Sequence, residues 1–216
     1  MKRCSYLFIC LALSGCAKKK NTVKTAQIDY KLALIEISEA APNSLKKALT
    51  LVEKALKNDQ NPRYMALKAT ILFSLQHEQE SLLLFKQALA ACKDQVLHAE
   101  IMNNYACALA QTGKESEALG IWQQLENDRH YLTPEVALVN QARVFGARGD
   151  SERAKKLLMQ ATALAPSYID AHYFLALIAN QLNEPGLTKN QLKTVLFLEP
   201  GHEGAQYLSG QLGLLV

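Results

Sequence analysis

Residues 135–168, EVALVNQARVFGARGDSERAKKLLMQATALAPSY, and residues 169–200, IDAHYFLALIANQLNEPGLTKNQLKTVLFLEP, carry one pattern written twice. Pro166 and Pro200 lie 34 residues apart, each closing an apolar run, and Ala142 with Ala176, Leu158 with Leu192 and Ala161 with Val195 recur at the same distance. The better copy reads as two helices, helix A over 135–147 and helix B over 151–164, joined by the turn Arg148-Gly149-Asp150. Gly149 suits a left-handed backbone position that a side chain reaches only with strain. Asp150 is placed to cap helix B by accepting a hydrogen bond from one of its free amides. Ala142 and Ala154 are expected to face each other, because packed helix axes approach to about 8–10 Å and small residues permit it.

A helix-turn-helix period of 34 residues is the signature of the tetratricopeptide repeat, which this stretch resembles. The pattern extends in both directions. Ala48, Val52 and Ala55 match Ala154, Leu158 and Ala161, and Ser81, Phe85 and Ala88 fall in the same register. Ala106, Gly113, Ala118 and Trp122 mark a third unit. The expected domain is therefore 28–216, with repeats near 29–61, 62–98, 99–134, 135–168 and 169–202 and a capping helix over 203–212. The resemblance implies an all-α fold, a right-handed superhelix of about five repeats closed by that C-terminal helix. Leu32 and Ile35 are expected on the core face of the first helix, where Glu36 departs from the pattern. Two long intervals between matched positions place extra loop residues around 92–96 and 127–134.

Composition agrees with a folded helical body. The chain has 216 residues, 49% of them apolar and 20% charged, with six prolines and a formal net charge of +4. That balance argues against disorder and against a dedicated nucleic-acid surface.

The chain starts with a basic segment, Met1-Lys2-Arg3, followed by an apolar run from Tyr6 to Leu13, the layout of an export signal and too short for a permanent membrane span. Leu13-Ser14-Gly15-Cys16 resembles a bacterial lipobox. The resemblance implies that residues 1–15 are a signal peptide cleaved before Cys16, which then carries diacylglycerol on its sulfur and an acyl chain such as palmitate on its amino group. Two acyl chains already anchor a protein stably. By resemblance to the bacterial lipoprotein sorting pattern, Ala17, standing where an aspartate would retain the protein in the inner membrane, implies the outer membrane, facing the periplasm. Residues 16–27 read as a polar tether with Lys18, Lys19, Lys20 and Lys24, either solvated or resting on anionic head groups. Cys92 and Cys107 remain in the body, expected as two small buried thiols too far apart to bridge.

Catalytic arrangements are missing from the sequence. The five histidines, His77, His98, His130, His172 and His202, fall outside zinc-binding spacings; Gly113-Lys114 lacks the earlier glycine of a phosphate loop; no Gly-x-Ser-x-Gly occurs. The chain is expected not to be an enzyme and to take no metal, cofactor, nucleic acid or small-molecule substrate. Repeat proteins of this family hold partners on the surface of their A helices, and the resemblance places the groove at the second, fifth, ninth and twelfth residues of each. Those positions include Tyr30, Ala33 and Ile37, then Arg63, Ala66, Thr70 and Phe73, then Asn103 and Cys107, and later Val139, Arg143, Tyr173 and Leu177. Mostly apolar, they suit an amphipathic partner segment, although Tyr30 and Phe73 equally suit the core of an irregular end repeat.

Asn103-Asn104-Tyr105-Ala106, then Asp128, Tyr131, Pro134 and Asn140, resemble the central block of the type IV pilus biogenesis lipoproteins, the PilF/PilW family of pilotins. Lipobox, tether and repeats follow the same layout. The resemblance implies an assembly factor that binds outer-membrane secretin subunits and promotes their localisation and oligomerisation. A different periplasmic repeat lipoprotein, a scaffold for cell-wall hydrolases or a component of outer-membrane protein assembly, is the alternative.

Overall fold

The computed structural model describes residues 5–39 and 41–213, with side chains from Asn21 onward. The basic start of the signal segment and the side chain of Cys16 lie outside the described residues, as does Ala40. Eleven helices and no strand form among the described residues: α1 Ser5–Glu39, α2 Ser44–Asn58, α3 Pro62–Ser74, α4 Glu78–Ala91, α5 Gln95–Gln111, α6 Glu115–Leu125, α7 Pro134–Ala147, α8 Ser151–Leu164, α9 Ile169–Gln181, α10 Pro185–Leu198 and α11 Glu203–Gln211. Odd-numbered helices up to α9 are the A members of successive pairs and even-numbered ones the B members. The chain is all-α with the tetratricopeptide-repeat fold. Two compact units divide it between Ala108 and Leu109, within α5.

The B helices explain why the repeat is written as it is. Each buries residues at i, i+4 and i+7, one stripe of a 3.6-residue helix. These are Ala48, Val52 and Ala55; Ser81, Phe85 and Ala88; Ala118, Trp122 and Leu125; Ala154, Leu158 and Ala161; Thr188, Leu192 and Val195, none more than 2% exposed. Full burial of each large member contributes about 1.5–3 kcal/mol. The polar members are satisfied locally: the Ser81 hydroxyl donates to the Ala69 carbonyl at 2.7 Å, and that of Thr188 to Glu184 at 2.9 Å.

The A-to-B turns share one geometry. Gln76, Gly113, Gly149 and Asn183 each take a left-handed backbone, with φ of 67°, 79°, 83° and 58°. The next amide then returns to a carbonyl five residues back: His77 to Leu72, Lys114 to Leu109, Asp150 to Phe145 and Glu184 to Ala179, all at 2.9 Å. This closes each A helix by satisfying a carbonyl that would otherwise be orphaned. Asp150 caps α8 by accepting from the Arg153 amide at 3.2 Å.

In the first unit α1 packs on α2, α2 on α3 and α3 on α4. Here the structure corrects the expected register. Leu32 and Ile35 are 43% and 51% exposed, whereas Ala26 and Ala33 are fully buried with Ala48, Val52 and Ala55. Alanines win because α1 and α2 approach closely, and Asp29 is taken in beside them with its carboxylate 3.8 Å from Lys54. The backbone is helical through residues 16–27, and Ala26 is a core residue, so the packed body begins before residue 28.

In the second unit α7 packs on α8, α8 on α9 and α9 on α10, with α7 also touching α9 and α11 covering α10. Eight residues, 126–133, connect α6 to α7, matching the expected insertion. The other insertion does not make a long loop: only residues 92–94 separate α4 from α5, and the surplus lengthens α5 to 17 residues. Cys92 and Cys107 are half-buried rather than buried and are not bridged.

Candidate functional site

In the first unit the expected groove residues separate into two groups. Ala33 and Ala66 are buried and present nothing to a partner. Tyr30 stacks on the buried Tyr64 with ring centroids 4.8 Å apart, so it completes the core between α1 and α3. Ile37 and Phe73 are half-buried, Arg63 and Thr70 exposed. Arg63 pairs with Glu100 at 3.5 Å and the Thr70 hydroxyl donates to the Ala66 carbonyl at 3.0 Å. Further along α5, Asn103 and Cys107 are half-buried. Of this set Ile37 lines a cleft in this unit, an opening of about 480 Å³ bordered also by Ala41, Asn43, Ser44, Leu45, Lys46 and Leu75. Asn43 enters α2 with a positive φ of 67°, which turns the chain sharply after α1 and leaves this space open.

The second unit has a smaller, more apolar cleft of about 210 Å³ between α7 and α9, floored by Leu158 of α8. Ala142, Arg143, Gly146 and Ala147 line it from α7, and Phe174, Leu177 and Ile178 from α9. Arg143 and Leu177 are at positions expected from sequence; Val139 is instead buried, at 2% exposure. Gly146 was legible by the same count, being the twelfth residue from Glu135, and a Cβ there would lie 2.9 Å from Ile178 Cδ1. Phe174 is off the count and stands out only through packing, with the Arg143 guanidinium 5.0 Å above its ring.

The residues of the central block serve mainly to build the body. Tyr105 is buried with its ring 6.0 Å from that of Phe85. Asp128 accepts from the His130 amide at 2.8 Å and faces its Nδ1 at 3.1 Å; these bonds hold the Asp128 carboxyl below the usual carboxylate range. Tyr131 is buried and Pro134 opens α7 at its first turn, where proline's missing amide costs nothing. Gln141, unremarked in the sequence, is 2% exposed and donates to Glu126 at 2.8 Å, tying the connection to α7. Asn103, Asn104 and Asn140 keep surface on the A helices.

Buried His172 sits between the Gln191 side chain and the Pro166 carbonyl, 2.6 and 2.9 Å away. His202 caps α11 by accepting from the Ala205 amide at 3.1 Å. Among the described residues no group of three or more His, Cys, Asp or Glu could hold a metal ion, and no helix is long and apolar enough to cross a membrane.

Residues 139–186 match the tetratricopeptide-repeat family. No curated protein matches the chain in sequence. Among solved structures, the chain is similar to PilW, a widely conserved type IV pilus biogenesis factor, at 22% identity and a TM-score of 0.71, over 88% of this chain and 87% of that one. It is equally similar to a thermophilic repeat protein of Thermus thermophilus, with 20% identity and a TM-score of 0.70 over 88% of this chain and all (100%) of that one. PilF of Pseudomonas aeruginosa is similar at 14% identity with a TM-score of 0.62, over 88% of this chain and 99% of that one. These likenesses establish the fold, an all-helical array of tetratricopeptide repeats.

Proposed function

Starting from a tetratricopeptide-repeat protein with the fold that PilW and PilF share, we propose that this chain is an outer-membrane lipoprotein of type IV pilus assembly. Anchored through acylated Cys16 and facing the periplasm, it acts as a pilotin: it binds secretin subunits and promotes their localisation and oligomerisation, without catalysis or cofactor. The observation that carries this reading is the combination of a lipobox with a repeat body whose fold extends over nearly all of both PilW and PilF. The physical logic is colocalisation. Nine residues lie between Cys16 and the buried Ala26, a reach of at most about 35 Å, so a bound client is held near the inner leaflet at high effective concentration.

The client segment lies against the first unit, where half-buried Ile37 and Phe73 and exposed Thr70 offer apolar surface with a polar edge. The test is detergent co-purification from cells with Cys16 intact, followed by mass spectrometry. Secretin subunits are expected, lost with Phe73→Asp and with the exposed change Thr70→Lys while far-UV dichroism stays unchanged. Recovery of cell-wall hydrolases or barrel-assembly proteins in place of secretin would overturn the pilotin reading. Secretin recovered undiminished from both variants would overturn the placement of the segment.

A further inference from the structure

α1 leaves one apolar face uncovered. Ile28, Leu32 and Ile35 are 58%, 43% and 51% exposed and stand at i, i+4 and i+7, a single stripe along the helix. The stripe is separate from the partner groove: Ile37, further along α1 from Ile28, projects about 180° away around a helix of 3.6 residues per turn. Later repeats show what this face does. In the register set by the B helices, Leu32 and Ile35 correspond to Leu138 and Gln141 of α7 and to His172 and Leu175 of α9, all of them buried. Gln141 reaches back to Glu126 and His172 to the Pro166 carbonyl, each in the connection that precedes its helix. This is therefore the face on which a repeat meets what comes before it. Repeat arrays need their terminal faces polar or covered, and α11 covers α10 at the far end.

The charges beside the stripe select what covers it. Lys24 and Lys31 flank it on one side, exposed and without an ion pair among the described residues. Asp29 and Glu36 flank it on the other, where α1 meets α2. Lys54 and Lys47 stand 3.8 and 3.6 Å from them, yet Asp29 Oδ2 and Glu36 Oε2 have no hydrogen-bond partner among the described residues. In heptad terms Ile28, Leu32 and Ile35 are the d, a, d seam of a coiled coil, with the lysines at g and the carboxylates at e. Thr25 and Glu39 end the seam. Two such helices running parallel set each g residue against the e residue of the following heptad in the other copy, which pairs Lys24 with Asp29 and Lys31 with Glu36, twice over by symmetry. Antiparallel helices would set lysine against lysine and carboxylate against carboxylate.

We propose that this face is a self-association surface, on which two copies of the chain pair through parallel α1 helices. The contact is isologous, the same patch on both copies. Three large apolar side chains from each copy make a small patch beside the roughly 1,200–2,000 Å² that stable interfaces bury, so the pairing is weak in solution. Parallel helices send both amino-terminal ends the same way, as two anchors in one leaflet require, and a shared leaflet raises the local concentration of copies. That last step rests on the anchor proposed above; the pairing itself rests on α1 alone.

Cysteine crosslinking and charge exchange test it on the full chain in detergent, concentrated to about 0.5 mM so that a weak dimer is populated. Under mild oxidation Ile28→Cys and Ile35→Cys are each expected to crosslink to the same residue of a second copy, above the level of the unaltered protein with its own cysteines. Leu32→Glu, an exposed change, should lower the dimer fraction to background while far-UV dichroism is unchanged. Lys31→Glu and Glu36→Lys should each weaken dimerisation about tenfold by sedimentation, and an equimolar mixture of the two should restore it. Crosslinks no greater than in the unaltered protein, or a dimer undisturbed by Leu32→Glu, would overturn the proposal. Crosslinks that form only when Ile28→Cys is mixed with Ile35→Cys would show antiparallel pairing and overturn it too. A fluorophore on Ile28→Cys that shifts with phosphatidylglycerol vesicles, in a chain that does not crosslink, would assign the face to lipid instead. The pairing is read without a client or a membrane, so it can fail while secretin recovery stands, and the reverse.

Discussion

Two glycines inside helices pose a quantitative test of how this body is packed. Replacing glycine by alanine within a helix gains up to about 1 kcal/mol from backbone entropy, less near a helix end. At Gly146 the new methyl would lie 2.9 Å from Ile178 Cδ1 and 3.9 Å from Ala154 Cβ. The near atom is the tip of a side chain that borders open space, so a small torsional change relieves the contact. Gly146→Ala is therefore expected to be neutral or to stabilise by about 0.5 kcal/mol. At Gly204 the new methyl would overlap the Tyr173 hydroxyl, 2.7 Å from Cζ and 3.3 Å from Cε2. That ring cannot yield as easily, because it packs against His202 at 4.5 Å between centroids. Overpacking of a fixed ring costs about 1–3 kcal/mol, and the propensity gain is small at the second residue of α11, so Gly204→Ala should destabilise by about 1.5 kcal/mol. Repeat bodies open locally, which makes amide hydrogen exchange a better readout than a global melt. The amides of α11 around Leu208 should exchange roughly tenfold faster in Gly204→Ala, whereas those of α7 should be unchanged or slower in Gly146→Ala. Unchanged exchange in α11, or equal acceleration by both variants, would refute the claim that Tyr173 is pinned over Gly204.

Gln76 pays a conformational cost that glycine avoids at Gly149, since both sit in the left-handed region, with φ of 67° and 83°. Gln76→Gly should raise the unfolding free energy measured in urea by about 0.5 kcal/mol, after the entropy of a more flexible unfolded chain is deducted, and Gly149→Ala should lower it by about 1 kcal/mol. Burial, reinforced by the negative charge of Asp170 and Glu135, pushes the Tyr168 phenol up from its ordinary value of 10.0 to about 12. A proton held more tightly in the folded state contributes stability that is complete below pH 10 and lost as pH rises through about 12. Urea midpoints measured at intervals across that window should fall more steeply for the unaltered protein than for Tyr168→Phe; parallel curves would contradict the assignment.

How far the fold could be read from sequence follows from which helices have neighbours on both sides. The B-helix positions were legible because a residue wedged between paired helices faces a fixed gap, whatever the details around it. Alanine at 48, 88, 118, 154 and 161 marks close approach, and Phe85, Trp122 and Leu158 fill the wider spaces. α8 accordingly has the expected bounds, Ser151–Leu164, and the closing helix ends within one residue of expectation, at Gln211. The first A helix lacks this constraint. Its apolar residues form two stripes, one of alanines and one of Ile28, Leu32 and Ile35, and hydropathy alone selects the second. Packing selects the first, because the close contact with α2 admits alanine and excludes branched chains, while Ile28 at 58% exposure stays outside.

The same difference decides which cleft residues could be located. Groove positions are counted from the start of each A helix, so the count is only as good as that start. Pro134 and the turn before Ile169 fix where α7 and α9 begin, and counting from Glu135, the residue after that proline, and from Ile169 reaches Arg143, Gly146 and Leu177, all on the cleft of the second unit. α1 has no comparable start near Asp29, since its backbone is already helical from Ser5 onward. Counting from an arbitrary residue then selects Tyr30 and Ala33, one stacked into the core and the other fully buried. Phe174 could not have been counted at all: it enters through the ring face it offers Arg143, a relation between two helices that no single repeat encodes.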